Sequence, residues 1–185
     1  MTLDEVRVEI DSVDSQMKPL FLQRMECARH VAEAKAVTGG DVYVPEREQI
    51  IIKKRSQGVE EFQEEYETFL LHLMSVSRRF QYGLLTGMQD QVLEGCLKHA
   101  ELDPEKEYSQ MKIAFQCSKS ESCLNLCINM VKLNGILLDE LELHTEDGMQ
   151  KVCMVLDGNL NQKNMRQLLC QIAKETENFE IVELR

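Results

Sequence analysis

From Leu3 to Val37 the chain reads as one long helix, and the side chains along it restrict what the rest can be. Leu3, Val6, Ile10, Val13, Met17, Leu20, Cys27, Val31 and Ala34 recur at heptad-like spacing. That is the pattern of a helix packed along its whole length against other helices. Arg24 stands in this stripe where an apolar residue is expected, and Lys35 lies beside its far end. A guanidinium among apolar neighbours is costly unless something anionic meets it. Taken alone, Arg24 also reads as an ordinary snorkelling side chain. With ~100° and ~1.5 Å per residue, the step from Arg24 to Lys35 returns to nearly the same face and spans about 16 Å. Two long cationic side chains can therefore lean toward one small anion. Arg7 points about 100° away from Arg24 and lies some 25 Å from it along a straight helix. A second copy of the helix, packed antiparallel, could bring its own Arg7 across, and this is a physical reason to expect a dimer with shared sites.

Charge sharpens the point. The 185 residues carry a net charge of -11, with 21 Lys and Arg against 32 Asp and Glu. Such a balance argues against a general binder of nucleic acid or anionic membrane. An acidic chain that takes an anionic ligand must gather its cations in one pocket. With 43% hydrophobic and 29% charged residues, the composition is that of a globular protein. The seven cysteines, Cys27, Cys96, Cys117, Cys123, Cys127, Cys153 and Cys170, are odd in number and form no CxxC pair. They read as reduced, buried thiols of a cytoplasmic protein. No ligand spacing links His30, His72, His99 or His144 to a cysteine, so no metal site is expected. The first residues lack the basic and apolar regions of a secretory signal, and no apolar run reaches the ~20 residues of a membrane span.

Local signals order the remainder. Thr2 and Glu5 have capping-box spacing at the start of the first helix, Pro19 predicts a kink near Ser15 to Pro19, and Gly39-Gly40 ends it. Pro45-Glu46-Arg47-Glu48 opens a second helix of about 45 to 57, which stops at Gly58. A third begins near Val59 or Glu60 and carries Phe62, Tyr66, Phe69, Leu73, Val76 and Phe80 at helical spacing. It is expected to weaken at Gly83 and Gly87 while running on toward Leu97. Ser77 and Gln81 fall four apart on one face of it. The polar, proline-broken stretch 99–110 reads as a linker. Beyond it the order is strand (Met111 to Cys117), helix (Ser120 to Leu133), strand (Ile136 to Thr145), hairpin turn at Glu146-Asp147-Gly148, strand (Lys151 to Leu156), helix (Asn161 to Thr176) and strand (Glu180 to Leu184). The expected fold is an α + α/β sandwich arrangement, a three-helix all-helical domain over 1–98 and a ferredoxin-like βαββαβ domain over 111–185.

The helical text resembles the AroQ class of chorismate mutases, all-helical enzymes with a long first helix and an intertwined dimer. The matching residues are Leu3-Asp4-Glu5-Val6-Arg7 with Ile10-Asp11 and Asp14, Gln23-Arg24-Met25-Glu26 with Ala28, and Ala32-Glu33-Ala34-Lys35. Val42-Tyr43, Pro45-Glu46-Arg47-Glu48, Ser77 and Gln81 complete the set, so the resemblance covers about residues 3 to 85. It implies that Arg24 and Arg47, with Arg7 from the partner protomer, hold the two carboxylates of chorismate. Lys35 and Gln81 are implied as donors to the ether oxygen, Glu48 as the contact of the ring hydroxyl, and Ser77 as support for a carboxylate. No cofactor is implied. One departure is Val44, where the family usually has an acid before the proline of the second helix. A related lyase acting on isochorismate, or a non-catalytic regulatory protein keeping a worn mutase fold, would share most of these features.

The C-terminal half resembles an ACT domain, the small-molecule-sensing module of amino-acid biosynthesis. The βαββαβ order, Leu133-Asn134-Gly135-Ile136 and Asp157-Gly158-Asn159-Leu160 carry that resemblance. Members related to aromatic biosynthesis have a proline-glycine pair where Glu121-Ser122 stands here, and a Glu-Ser-Arg-Pro segment where Glu142-Leu143-His144-Thr145 stands. A structural or dimerising role is one expectation. Sensing of phenylalanine or tyrosine, with Ser118, Ser122, Asn134 and Gly135 as the effector site, is the other.

Overall fold

A computed structural model of the chain describes residues 1–103, 107–118 and 123–185, with the side chain of residue 123 left aside. Helix α1 spans Leu3–Thr38. Its start is the expected capping box: Glu5 N–H donates to Thr2 Oγ1 at 3.3 Å, and Thr2 N–H donates to a Glu5 carboxylate oxygen at 2.6 Å. It ends at Gly39, whose φ of 72° needs a residue free of Cβ strain. Pro19 lies inside α1 without interrupting it. The apolar stripe is not covered in one chain, contrary to the expectation of packing along the full length. Ile10, Val13 and Leu20 are exposed, and the buried residues of α1 are Ala28 and Ala32. The physical reason is reach, because α1 lies mainly against α3 and projects beyond its neighbours.

Helix α2 covers Pro45–Arg55, with proline in its first turn, Glu46 and Glu48 near its positive end and Lys53, Lys54 and Arg55 near its negative end. Helix α3 covers Gln63–Leu84 and α4 covers Thr86–His99. The third helix therefore does not run on, and the helical half has four helices rather than three. The break falls at Leu85, whose ψ of 61° leaves the helical region. Gln89 Nε2 donates to the Tyr82 carbonyl at 2.7 Å, occupying an acceptor that the end of α3 leaves open.

The second half contains β1 (Gln110–Ser118), α5 (Cys123–Leu133), β2 (Leu138–Glu146), β3 (Met149–Asp157), α6 (Lys163–Glu175) and β4 (Glu177–Leu184). The described part of α5 starts at residue 123, and the expected first turn from Ser120 lies outside the described residues. The four strands form one antiparallel sheet in the order β2-β3-β1-β4, which is the ferredoxin-like plan. Asp147 and Gly148 both have positive φ, the twist a two-residue hairpin loop requires. Along β1, Met111, Ile113, Phe115 and Cys117 alternate inward and meet Met130 of α5 and Met165, Leu168 and Ile172 of α6.

The two halves share a packed boundary. Leu93 of α4 joins the core under the sheet, while Cys170 of α6 joins Ala32, Val42, Tyr82 and Leu85 of the helical half. Helix α6 is thus buried on two faces. One is apolar and faces the sheet; the other carries Gln167, Gln171 and Glu175 at four-residue spacing and faces α3 and α4. Gln167 Nε2 donates to the Arg79 carbonyl at 2.6 Å. Gly83 makes this approach possible, since a Cβ there would lie 2.8 Å from Gln167 Oε1.

Candidate active site

A cavity of about 230 Å³ opens between α1, α2 and α3. Its wall includes Arg24, Lys35, Arg47, Arg55 and Arg78 against the single carboxylate of Glu48. Five cations around one acid, in a chain of net charge -11, give this cavity a positive lining that suits a small anion. The volume falls below the ~300 Å³ at which sites for drug-sized ligands begin.

Each polar side chain has a local cause for its position. Arg24 comes from the middle of α1, where its guanidinium donates to Ser77 Oγ and to the Leu73 carbonyl at 3.5 Å. Ser77 Oγ donates in turn to the Leu73 carbonyl at 3.0 Å, so the hydroxyl is turned toward Arg24 by its own helix. Lys35 sits on the last turn of α1 and donates to the Val42 carbonyl at 3.2 Å, across the glycine turn. Arg47 and Glu48 enter from the first turn of α2. Gln81 is 7% exposed and one helical turn past Ser77; its amide oxygen has no hydrogen-bond partner among the described residues. Its amide nitrogen donates to the Ser77 carbonyl at 3.4 Å, so the side chain is tethered to its own helix while the oxygen is left open toward the cation-lined hollow.

Electrostatics follow the burial. The Arg24 guanidinium is pushed below its ordinary range by desolvation and by Arg55, with Glu48 opposing. Lys35 is likewise lowered, by burial first and Arg47 next, against Asp41 and Glu48. Cations that repel one another and lack a full complement of acids favour an incoming dianion.

Of the residues singled out in the sequence, Arg24, Lys35, Arg47, Glu48, Ser77 and Gln81 line one cavity. Val44 lines it too. Arg7 does not: it is exposed and paired with Asp4 on the first turns of the same helix. The residues considered for an effector are placed elsewhere. Asn134 is buried, with its Oδ1 accepting from Arg79 Nε at 3.1 Å and its Nδ2 donating to the Met130 carbonyl at 2.8 Å. Gly135 is exposed with φ of 64°, Ser118 ends β1, and Ser122 lies outside the described residues. Cys27 is exposed, which corrects the expectation of buried thiols there; Cys117, Cys127 and Cys170 are buried. Burial raises the Cys170 thiol to about 12, so it remains protonated near neutral pH.

Sequence reasoning missed Arg78 and Glu175, and it quoted Tyr43 without giving it a role. Arg78 is 4% exposed; its Nη1 lies 2.5 Å from a Glu48 oxygen and its Nε 2.8 Å from Glu175 Oε1. Its guanidinium also stacks 4.7 Å over the Tyr43 ring. Burial works against its charge, yet Glu175 and Glu48 outweigh that and raise its pKa. The available signal was position: Arg78 adjoins Ser77 and precedes Gln81 by three, the spacing of one helix face.

The site is thus a helical-bundle pocket lined by cations and a buried amide. Residues 6–82 match the family model of chorismate mutase type II, a span that contains every residue lining this cavity. No curated protein and no solved structure matches the chain. Among the described helices, none is long and apolar enough to cross a membrane.

Proposed function

We propose that the chain is a chorismate mutase, converting chorismate to prephenate within the biosynthesis of phenylalanine and tyrosine. The observation that carries the reading is the convergence of Arg24, Lys35, Arg47, Glu48, Ser77 and Gln81 on one small cavity. The rearrangement is intramolecular and calls for no nucleophile, proton transfer or metal. What the protein supplies is confinement of the compact reactive conformer and donors aimed at the ether oxygen as negative charge develops on it. Arg24 and Arg47 take the carboxylates, Ser77 steadies Arg24, Lys35 and Gln81 donate to the ether oxygen, and Glu48 accepts from the ring hydroxyl. The uncovered apolar face of α1, with Met17, Leu20 and Phe21 beside Phe69 and Val76 of α3, supports a homodimer in which Arg7 crosses to the partner's site.

The C-terminal half is read as ACT-like with a structural role. The Asn134 amide is engaged in both directions and braced against α3, which supports that role over amino-acid sensing.

The test is the disappearance of chorismate absorbance with purified protein, with prephenate as the product. Release of pyruvate and salicylate from isochorismate would assign the related lyase reaction instead, and inertness toward both substrates would leave a non-catalytic protein.

A further inference from the structure

We infer that Glu175, on α6 of the C-terminal half, is a positioning residue for the candidate active site, acting through Arg78 on Glu48. The inference rests on the mutase reading and adds to it a residue outside the helical half. Arg78 is a fork between two carboxylates: Nη1 meets Glu48 at 2.5 Å and Nε meets Glu175 at 2.8 Å. Planar guanidinium groups hold orientation when both edges are paired. Here the Tyr43 ring closes one face as well. Glu175 is itself held, since its side chain is 2% exposed and Gln171 Nε2 donates to the same oxygen at 3.1 Å. The chain of contacts runs from α6 to α3 to α2 and ends on a carboxylate that lines the cavity.

The physical consequence concerns where Arg78 and Glu48 sit rather than how strongly the halves adhere. A buried ion pair contributes little net stability by itself, because desolvation of both charges offsets their attraction. With Glu175 present, one edge of Arg78 is committed to α6, and Glu48 is presented to the cavity in a fixed pose. Without that charge, Arg78 has Glu48 as its one acidic partner of the two. It can then turn toward the cavity and draw the carboxylate away from the place where a ring hydroxyl would meet it.

The experiment compares kcat/KM for chorismate with kcat/KM for an analogue lacking the ring hydroxyl. The ratio of the two is independent of how much enzyme is folded, so a purely structural role does not move it. Glu175→Gln is expected to lower the ratio at least tenfold. Combined with Glu48→Gln, it should lower the ratio no further than Glu48→Gln does alone, because both changes act at one contact. Gln171→Leu, which frees Glu175 without removing its charge, should shift the ratio in the same direction by about threefold. It also serves if the first variant does not fold. An unchanged ratio in an active, folded variant overturns the positioning role alone. A wild-type protein inert toward chorismate overturns the mutase reading and this role with it.

Discussion

Lys35 shows how one residue can be placed against a cavity by an element ending. The glycine turn after Thr38 folds the connector back so that the Val42 carbonyl accepts from Lys35 Nζ. Its charge is held against partial burial and the neighbouring Arg47, so it titrates below the ordinary lysine range. Two outcomes follow. Lys35→Ala should lower kcat by roughly 10²–10³ while changing KM far less, as expected for a donor that acts mainly in the transition state. In the wild type, kcat/KM should fall on the alkaline side at a pH below that of a free lysine, whereas kcat should hold to higher pH, because bound dianion raises the Lys35 pKa. The sign for stability is opposite. Between the lowered pKa and the ordinary one, the native chain binds fewer protons than the unfolded chain, so this group makes stability rise with pH.

At the scale of elements, α6 is buried on two faces at once. Its apolar stripe of Leu168 and Ile172 seals the sheet, and its polar stripe of Gln167, Gln171 and Glu175 faces α3. Two faces of one helix thus join a ferredoxin-like sheet to a helical bundle. Gly83 sets the spacing, and the Gln167 amide lies where a side chain at 83 would project. Gly83→Val should displace Gln167 from the Arg79 carbonyl and lower stability by roughly 1–3 kcal/mol. For a chain of this size that corresponds to a fall in Tm of several degrees, readable by calorimetry. The helix itself was legible from its periodicity. Its second buried face was not, because glutamines and a glutamate at four-residue spacing ordinarily mark a solvated surface.

For the whole molecule the open question in one chain is the far half of α1. Its apolar residues face outward, and Arg7 is well separated from the cavity that the other site residues line. A twofold dimer answers both features at once. The check is complementation: Arg7→Ala and Arg24→Ala should each be nearly inactive alone. When co-expressed they should recover about a quarter of wild-type activity, since half of random dimers are mixed and each mixed dimer rebuilds one intact site. Failure to recover activity would place Arg7 outside the site.

Sequence alone was enough for the order of helices and strands apart from the division between α3 and α4, for the caps of α1, for the hairpin at Asp147-Gly148 and for six of the cavity's polar residues. The caps and the hairpin are written in short-range spacing and in residues that demand a particular φ, Arg24 and Lys35 stand out as charges along an apolar stripe, and Arg47, Glu48, Ser77 and Gln81 came with the family resemblance. Tertiary structure alone decided that the helix after Gly83 breaks at Leu85, that the apolar stripe of α1 stays uncovered within one chain, and that Arg78 lies between Glu48 and Glu175. Those facts depend on which surfaces meet across nearly a hundred residues of chain. Local periodicity carries no information about that choice, because a carboxylate 97 positions away looks the same in sequence whether it ends in water or against a guanidinium.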